Sequence, residues 1–272
     1  MRIGVFLRNM GPASTPEIIS ECAKAADAQG IDDLWVLDHI AIPPDESEGS
    51  GGRYVDPLAT LAFVAGTTQR VRLGVSVLIA PYRAPLPTAK WLASIQELSG
   101  GRLCAGFGVG WMAAEFSALG VDRSRRGKIT DETLAAINTC FASDEVELNG
   151  QKFLFNPRPS KPPVLIGGAP ENAIPRVVEF AEGWMPMGLS PEDLAPHAAD
   201  LQSKLNAAGK PAPEIIPLAA IPTDDLGAAA ELLNSYAEIG ATGIEYPAKY
   251  DTTAEFCRCI EGLLEAKSRA GY

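Results

Sequence analysis

The sequence contains few of the residues from which metal and disulfide sites are built. Its 272 residues include only two histidines, His39 and His197, so we expect no histidine-rich metal site. The five cysteines are odd in number and their spacing is not that of a disulfide framework; they stand at positions 22, 104, 140, 257 and 259. This usage is typical of a reducing compartment, and we expect a cytoplasmic protein.

Positive charge and long apolar runs are also scarce. With 23 Lys and Arg against 34 Asp and Glu, the formal net charge is −11, which argues against nucleic acid or an anionic membrane as the main partner. A phosphate group would have to be held by backbone amides or by a few arginines. No apolar run approaches transmembrane length, and the N-terminal MRIGVFLRNM is predicted to be a strand, not a signal peptide.

Several familiar catalytic motifs are missing. There is no G-x-S-x-G and no spacing of a catalytic triad. The dinucleotide fingerprint G-x-G-x-x-G is absent after the first predicted strand, where residues 8–13 read RNMGPA. A carboxylate pair for glycoside hydrolysis stays open, but Asp38 and Glu245 are the only acids at predicted strand ends.

What the sequence does have is a regular alternation of strand-like and helix-like segments. The predicted strands are 3–7, 33–38, 71–79, 102–108, 163–168, 183–187, 214–220 and 242–247. A helical pattern follows each one, and an alternating stretch around Asn149-Gly150 predicts a short hairpin over 145–155. Eight such units in this length predict a closed (β/α)8 TIM barrel, with residues 1–272 as a single domain. A doubly wound open sheet is the less favoured alternative.

In such a barrel the active site lies at the carboxyl ends of the strands. The candidate residues there are Asp38, His39, Ser76, Val77, Gly108, Val109, Gly110, Trp111, Gly167, Gly168, Ala169, Met187 and Gly188. The glycines leave room for a large, flat ligand. Each feature also has a simpler explanation. Asp38-His39 can be a solvated strand end, GFGVG (106–110) can be the glycines of an ordinary strand-to-helix turn, and IGGAPENA (166–173) can be a tight turn. A glycine-rich mouth with few acid–base groups suits a cofactor that brings its own reactivity.

Three segments in order carry a resemblance to a known family. LWVLDHI (34–40), DPLATLAFVAGTTQRVRLGVSVLIAPYRAP (56–85) and SGGRLCAGFGVGWMAAEFSALGV (99–121) resemble the bacterial luciferase-like flavin superfamily. Within it, the chain is most similar to the oxidoreductases that depend on the deazaflavin coenzyme F420. The similarity continues through KPPVLIGGAPENAIPRVVEFAEGWMPM (161–187) and covers about residues 1–190.

The resemblance implies a ring-shaped cofactor in the barrel mouth, with its phosphate tail toward strands five and six and Gly188. Asp38 and His39 match the family's strand-two pair near the ring, and His39 would steer or protonate the substrate. Residues 108–110 match the loop under the ring, followed here by Trp111, and residues 167–169 match the phosphate turn. A cis peptide bond between Ser76 and Val77 would lie behind the ring.

The sequence departs from one branch of the family. Deazaflavin sugar-phosphate dehydrogenases have a glutamate directly after the strand-four glycines, where this chain has Trp111. Glu115 follows one helical turn later and need not face the substrate. A sugar-phosphate substrate is therefore not expected, and the short hairpin in place of a long insertion predicts an open site.

Four hypotheses follow. The first is hydride transfer between F420 and a small organic substrate; the second is an FMN-dependent monooxygenase. The third is a non-redox lyase or isomerase that binds a substrate phosphate at Gly167-Gly168, and the fourth is a cofactor-binding barrel without catalysis. Relatives in the family also lead us to expect a homodimer formed through helices of the first half.

Overall fold

The computed structural model describes all 272 residues as ten strands, nine α-helices and three short 3-10 turns. The strands are β1 (Arg2–Phe6), β2 (Asp33–Val36), β3 (Arg72–Ile79), β4 (Leu103–Gly108), β5 (Glu145–Leu148), β6 (Gln151–Leu154), β7 (Val164–Gly167), β8 (Gly183–Met185), β9 (Glu214–Ile215) and β10 (Gly243–Tyr246). The helices are α1 (Pro16–Gln29), α2 (Pro57–Ala65), α3 (Pro85–Leu98), α4 (Ala113–Leu119), α5 (Arg126–Ala142), α6 (Pro170–Phe180), α7 (Pro191–Ala207), α8 (Leu226–Glu238) and α9 (Thr253–Arg269).

Eight of the strands form one parallel sheet, in the order β10-β1-β2-β3-β4-β7-β8-β9. Backbone hydrogen bonds join the two outer strands, because Thr242 N–H donates to the Ile215 carbonyl at 2.8 Å and Ala219 N–H donates to the Glu245 carbonyl at 3.0 Å. The sheet therefore closes on itself, and the predicted (β/α)8 barrel is confirmed. The hairpin predicted around Asn149-Gly150 is also present, as the antiparallel pair β5–β6.

Prolines end two of the predicted strands early. The segment 214–220 forms a strand only over Glu214–Ile215, and further along Leu218 makes isolated bridges to Met187 and Glu245. The segment 183–187 ends as a strand at Met185. A proline follows closely in both cases, Pro217 and Pro186, and proline has no N–H to continue the ladder.

Polar side chains cap the first turns of several helices. Thr15 precedes the proline that opens α1, and its hydroxyl accepts a hydrogen bond from Ile18 N–H. Asp56 caps α2 in the same way, and Thr252 with Glu255 forms a capping box at α9. These caps satisfy amide groups that the first helical turn leaves free. None of the helices is both long and apolar enough to cross a membrane.

The barrel interior is filled from its base upward. At the base, Arg72 binds Asp33 and Glu214, with Nη1 to Oε2 of the latter at 3.0 Å. Above this layer the Trp35 ring occupies space that glycines leave, since a Cβ built on Gly74 would lie 2.1 Å from the ring. The interior is thus packed at these levels, and a cavity lies above them at the carboxyl ends of the strands, where the active site of a barrel is expected.

Candidate active site

A cavity of about 360 Å³ lies at the carboxyl ends of the strands. Nine of the candidate residues singled out from the sequence line it together: Ser76, Val77, Gly108, Val109, Gly110, Trp111, Gly167, Gly168 and Met187. Phe6, Met185 and Leu218 add apolar surface. A mostly apolar concave site of this size suits a planar organic ligand.

The Val77 side chain accounts for two of the glycines. A Cβ on Gly108 would lie 2.5 Å from its Cγ2, and a Cβ on Gly167 would lie 2.8 Å from its Cγ1. Any larger residue at these strand ends would collide with the valine. The glycines therefore let Val77 pack into the barrel mouth, in addition to leaving backbone exposed to the cavity. The peptide bond between Ser76 and Val77 is cis, as predicted.

Asp38 does not line the cavity. Its carboxylate is buried and forms two hydrogen bonds with the Arg83 guanidinium, at 2.6 and 2.8 Å. It also accepts a hydrogen bond from Ile79 N–H at 2.8 Å. This arrangement ties the end of β2 to the end of β3. The immediate role of Asp38 is therefore to hold the rim of the mouth together.

His39 lies beside the cavity and is held by Glu115. The imidazole Nδ1 is 2.9 Å from Oε2 of Glu115. This carboxylate is fully buried, and it also accepts hydrogen bonds from Ile40 N–H at 2.6 Å, Ala41 N–H at 2.9 Å and the Tyr82 hydroxyl at 2.8 Å. Glu115 thus fixes both the ring of His39 and the backbone that follows it.

The environment of Glu115 determines which ring nitrogen of His39 carries a proton. Burial alone would raise the pKa of Glu115, but the donors from Ala41, Ile40, His39 and Tyr82 bring this pKa below its ordinary value. Glu115 is therefore ionised at neutral pH and can only accept. Nδ1 of His39 must then be protonated, which leaves Nε2 free to exchange a proton with a ligand.

Aromatic side chains surround the other faces of His39. The Tyr54 ring centre is 4.9 Å away, and the Trp111 ring meets the imidazole edge-on at 6.3 Å. Trp111 lines the cavity and is 62% exposed. The histidine and the cavity therefore share this tryptophan as a common wall, and the mouth is open above it.

The predicted phosphate turn lies partly on the cavity lining. Gly167 and Gly168 line it, whereas Ala169 and Gly188 do not. Ala169 is the N-cap of α6 and makes no side-chain hydrogen bond to the first turn. The Trp184 indole donates to the Gly168 carbonyl at 2.9 Å and fixes the turn. Uncapped amides at a helix start suit an anionic group.

Glu245 is the one ionisable residue on the cavity lining. It is 1% exposed, and the Ser76 hydroxyl donates to its Oε2 at 2.8 Å. Burial raises the pKa of Glu245 to about 8. At neutral pH this carboxyl is accordingly in its neutral form.

Sequence reasoning missed several residues that organise the site. Tyr82 and Arg83 follow β3 closely, in APYRAP (80–85). A phenol and a cation just after a buried strand could have been recognised as candidate site residues. Asn9 is buried after β1, and its amide group binds the backbone of Leu37 and Val55. A polar residue between two apolar strands is a weaker signal, because its partners are distant in sequence.

Comparison with known proteins identifies the family. The model of the luciferase-like monooxygenase family matches residues 1–255. The chain belongs to this family. An uncharacterized protein of Mycobacterium tuberculosis is 30% identical over 209 residues, which cover 70% of this chain and 72% of that protein.

Two solved structures are similar to this chain over nearly its whole length. An F420-dependent secondary alcohol dehydrogenase, in complex with an F420-acetone adduct, has a TM-score of 0.76 at 16% identity and covers 96% of this chain and 98% of its own. EDTA monooxygenase from Chelativorans sp. BNC1 has a TM-score of 0.80 at 14% identity, with coverage of 99% and 94%. At these identities the likeness concerns the fold alone.

Proposed function

We propose that the chain is an oxidoreductase that binds coenzyme F420 in the barrel mouth and transfers a hydride between this cofactor and a small organic substrate. The observation that carries the proposal is the arrangement of His39, oriented by ionised Glu115, at the edge of a largely apolar cavity of about 360 Å³. A bound deazaflavin would supply or accept the hydride. The protein's own residues would bind the cofactor, orient the substrate and move the accompanying proton.

The residues of the cavity fit such a cofactor. Phe6, Val77 and Met185 offer apolar contact for a ring, and the backbone of Gly108 and Gly110 is open to it. The turn at residues 167–169 would hold the phosphate tail through amide groups. Asp38 and Gly188 lie off the lining, and we propose that they act through the loops they fix.

His39 would handle the proton that accompanies the hydride. Hydride transfer to a carbonyl carbon, or from an alcohol carbon, moves a proton to or from the substrate oxygen. With Nδ1 bound to Glu115, Nε2 is the nitrogen that holds or releases this proton. Trp111 beside it would exclude water on one side and orient an apolar substrate.

A second candidate is an FMN-dependent monooxygenase, which membership of the luciferase-like monooxygenase family favours. The two differ in chemistry, because deazaflavin carries a carbon where flavin carries the reactive nitrogen, and it therefore reacts poorly with oxygen. Nothing observed specifically favours a non-redox lyase or isomerase.

Titration of the purified protein separates these candidates. We expect F420 absorbance and fluorescence to change on binding, with saturation at a stoichiometry of one per chain, and reduced F420 to persist in air when bound. Tighter binding of FMN, with oxygen consumption after reduction, would support the monooxygenase instead. Failure of both cofactors to bind would overturn the proposal.

We further propose a homodimer in the cytoplasm with a small-molecule substrate as its ligand. All five cysteines are free thiols, and Cys22, Cys104 and Cys140 are buried. Free thiols of this number suit a reducing compartment.

A further inference from the structure

Glu245 is unusual among the side chains at the mouth because its hydrogen bonding is incomplete. It lies on β10, where it is paired with Gly4 of β1. Its Oε2 accepts the Ser76 hydroxyl, but its Oε1 is buried without any partner. A buried polar atom on the wall of a cavity, left unpaired by the protein, indicates a contact that a ligand completes.

The protonation state decides what kind of contact this is. Burial, with a smaller effect of the Asp33 charge, raises the pKa of Glu245 to about 8. A neutral carboxyl has one O–H to donate. Because Ser76 donates to Oε2, the proton belongs on Oε1, where it faces no acceptor of the protein.

No basic side chain lines the cavity to stabilise the ionised form of Glu245. The cavity residues next to Glu245 are uncharged, and they include Phe6, Val77 and Leu218. Asp33 of β2 is the charged group that acts on Glu245 from below, and it is itself bound by Arg72. A neutral carboxylic acid in an apolar pocket is a strong hydrogen-bond donor for a ligand at neutral pH.

We propose that Glu245, in its neutral form, donates a hydrogen bond from Oε1 to a carbonyl or ring-nitrogen acceptor of the flavin-type ring bound in the cavity. The inference rests on the proposed function and adds a cofactor-contacting residue on β10 to the residues near His39. It assigns Ser76 the task of orienting the carboxyl.

Two variants of similar length test the donor role. Glu245→Gln keeps a neutral donor, since its carbonyl can accept from Ser76 while its amide donates to the ring. Glu245→Met has no donor. With F420 and FMN as separate probes, we expect the dissociation constant of Glu245→Gln to stay within about threefold of the unmodified protein and that of Glu245→Met to rise about tenfold. Melting temperatures of each variant check folding.

The pH dependence of binding provides a second measurement. The O–H is present below the folded pKa of about 8 and is lost as the pH rises through that value, so affinity of the unmodified protein should fall above pH 8. Glu245→Gln does not titrate. The ratio of the two dissociation constants at each pH cancels ionisation of the cofactor itself, and this ratio should change across pH 8.

The possible results have distinct meanings. Unchanged affinity in folded Glu245→Met would overturn the inference, as would equal losses in Glu245→Gln and Glu245→Met, which would indicate an ionised acceptor. If neither F420 nor FMN binds to the unmodified protein, the proposed function is overturned, and so is the proposal that Glu245 donates to the ring of that cofactor. Infrared spectra of the free protein distinguish these failures. A protonated-carboxyl band at pH 7 that Glu245→Gln lacks supports the neutral form, and its absence overturns the inference even where both cofactors bind.

Discussion

At the scale of single residues, the proposed chemistry depends on one histidine and a carboxylate 76 positions away in sequence. We predict that His39→Ala lowers the rate of hydride transfer by about 100-fold or more, because the proton carrier is lost. The melting temperature should change little. Glu115 would keep its hydrogen bonds from Ile40, Ala41 and Tyr82. Single-turnover absorbance of F420 and thermal unfolding measure the two effects.

The second histidine of the chain is the matched control. His197 lies on α7, where its ring packs edge-on against Trp184 at 6.3 Å, and it does not line the cavity. His197→Ala should therefore leave the rate unchanged. Equal rates in both variants, or a large loss of stability in His39→Ala with an intact rate, would contradict a catalytic role for His39.

The pairing of Asp38 with Arg83 makes a prediction about stability. Arg83→Leu would leave the Asp38 carboxylate buried without its cation, and we expect a loss of about 3–5 kcal/mol in the free energy of unfolding. Adding Asp38→Asn should recover much of this loss, because the buried charge is then gone. Urea denaturation of the three proteins measures the coupling between the two sites.

An exposed ion pair provides the comparison for Arg83. Lys204 binds Asp200 one turn earlier on α7, and both side chains are about half exposed. Lys204→Leu should change the free energy of unfolding by less than about 1 kcal/mol. A similar small effect for Arg83→Leu would show that the rim of the mouth does not depend on Asp38.

At the scale of elements, the pairing of β3 and β4 depends on how Val77 meets the glycines. Gly108→Ala would place a Cβ 2.5 Å from Cγ2 of Val77, and we expect a cost of about 1–3 kcal/mol from overpacking. The double variant Gly108→Ala/Val77→Ala removes the colliding methyl groups. It should be more stable than the sum of the single variants predicts, as measured by denaturant unfolding. Strict additivity would contradict the contact.

The same elements show what the sequence can and cannot predict. Strand–helix alternation is local, and parallel strands with short right-handed connections have few ways to close, so the barrel follows from the pattern. Because active sites of barrels lie at strand ends, the candidates were chosen there, and nine of them line one cavity. The sequence suggests that Gly108 leaves room for a ligand. The structure shows that the packing of Val77 also requires a glycine at this position.

Side-chain partners across the barrel could not be predicted. The sequence shows Glu115 one helical turn after Trp111, but its contact with His39 depends on the path of α4 and of the loop after β2. The partner of Asp38 depends similarly on the turn at residues 80–82 that brings Arg83 back to β2. Spacing along a chain does not determine such contacts, because they are set when separate elements pack together.

At the scale of the whole molecule, the exterior bears large apolar side chains on two adjacent helices. Phe63 of α2 is 44% exposed, and Trp91 and Leu98 of α3 are 45% and 71% exposed. Both helices belong to the first half of the chain, where the family resemblance leads us to expect the dimer contact. Burying such residues against a second copy would remove apolar surface from water.

We predict that the protein has twice its chain mass of 28.7 kDa in light scattering at micromolar concentration. Trp91→Glu should give the single-chain mass, because the contact would then bury an unpaired charge.

Trp111→Glu is the control, since this tryptophan is 62% exposed at the mouth and away from α2 and α3. Each chain carries a formal charge of −11, so the measurement should be made at about 0.15 M salt, where repulsion between copies is screened beyond about 8 Å. A single-chain mass for the unmodified protein under these conditions would contradict the dimer, and an unchanged mass for Trp91→Glu would move the contact to another face.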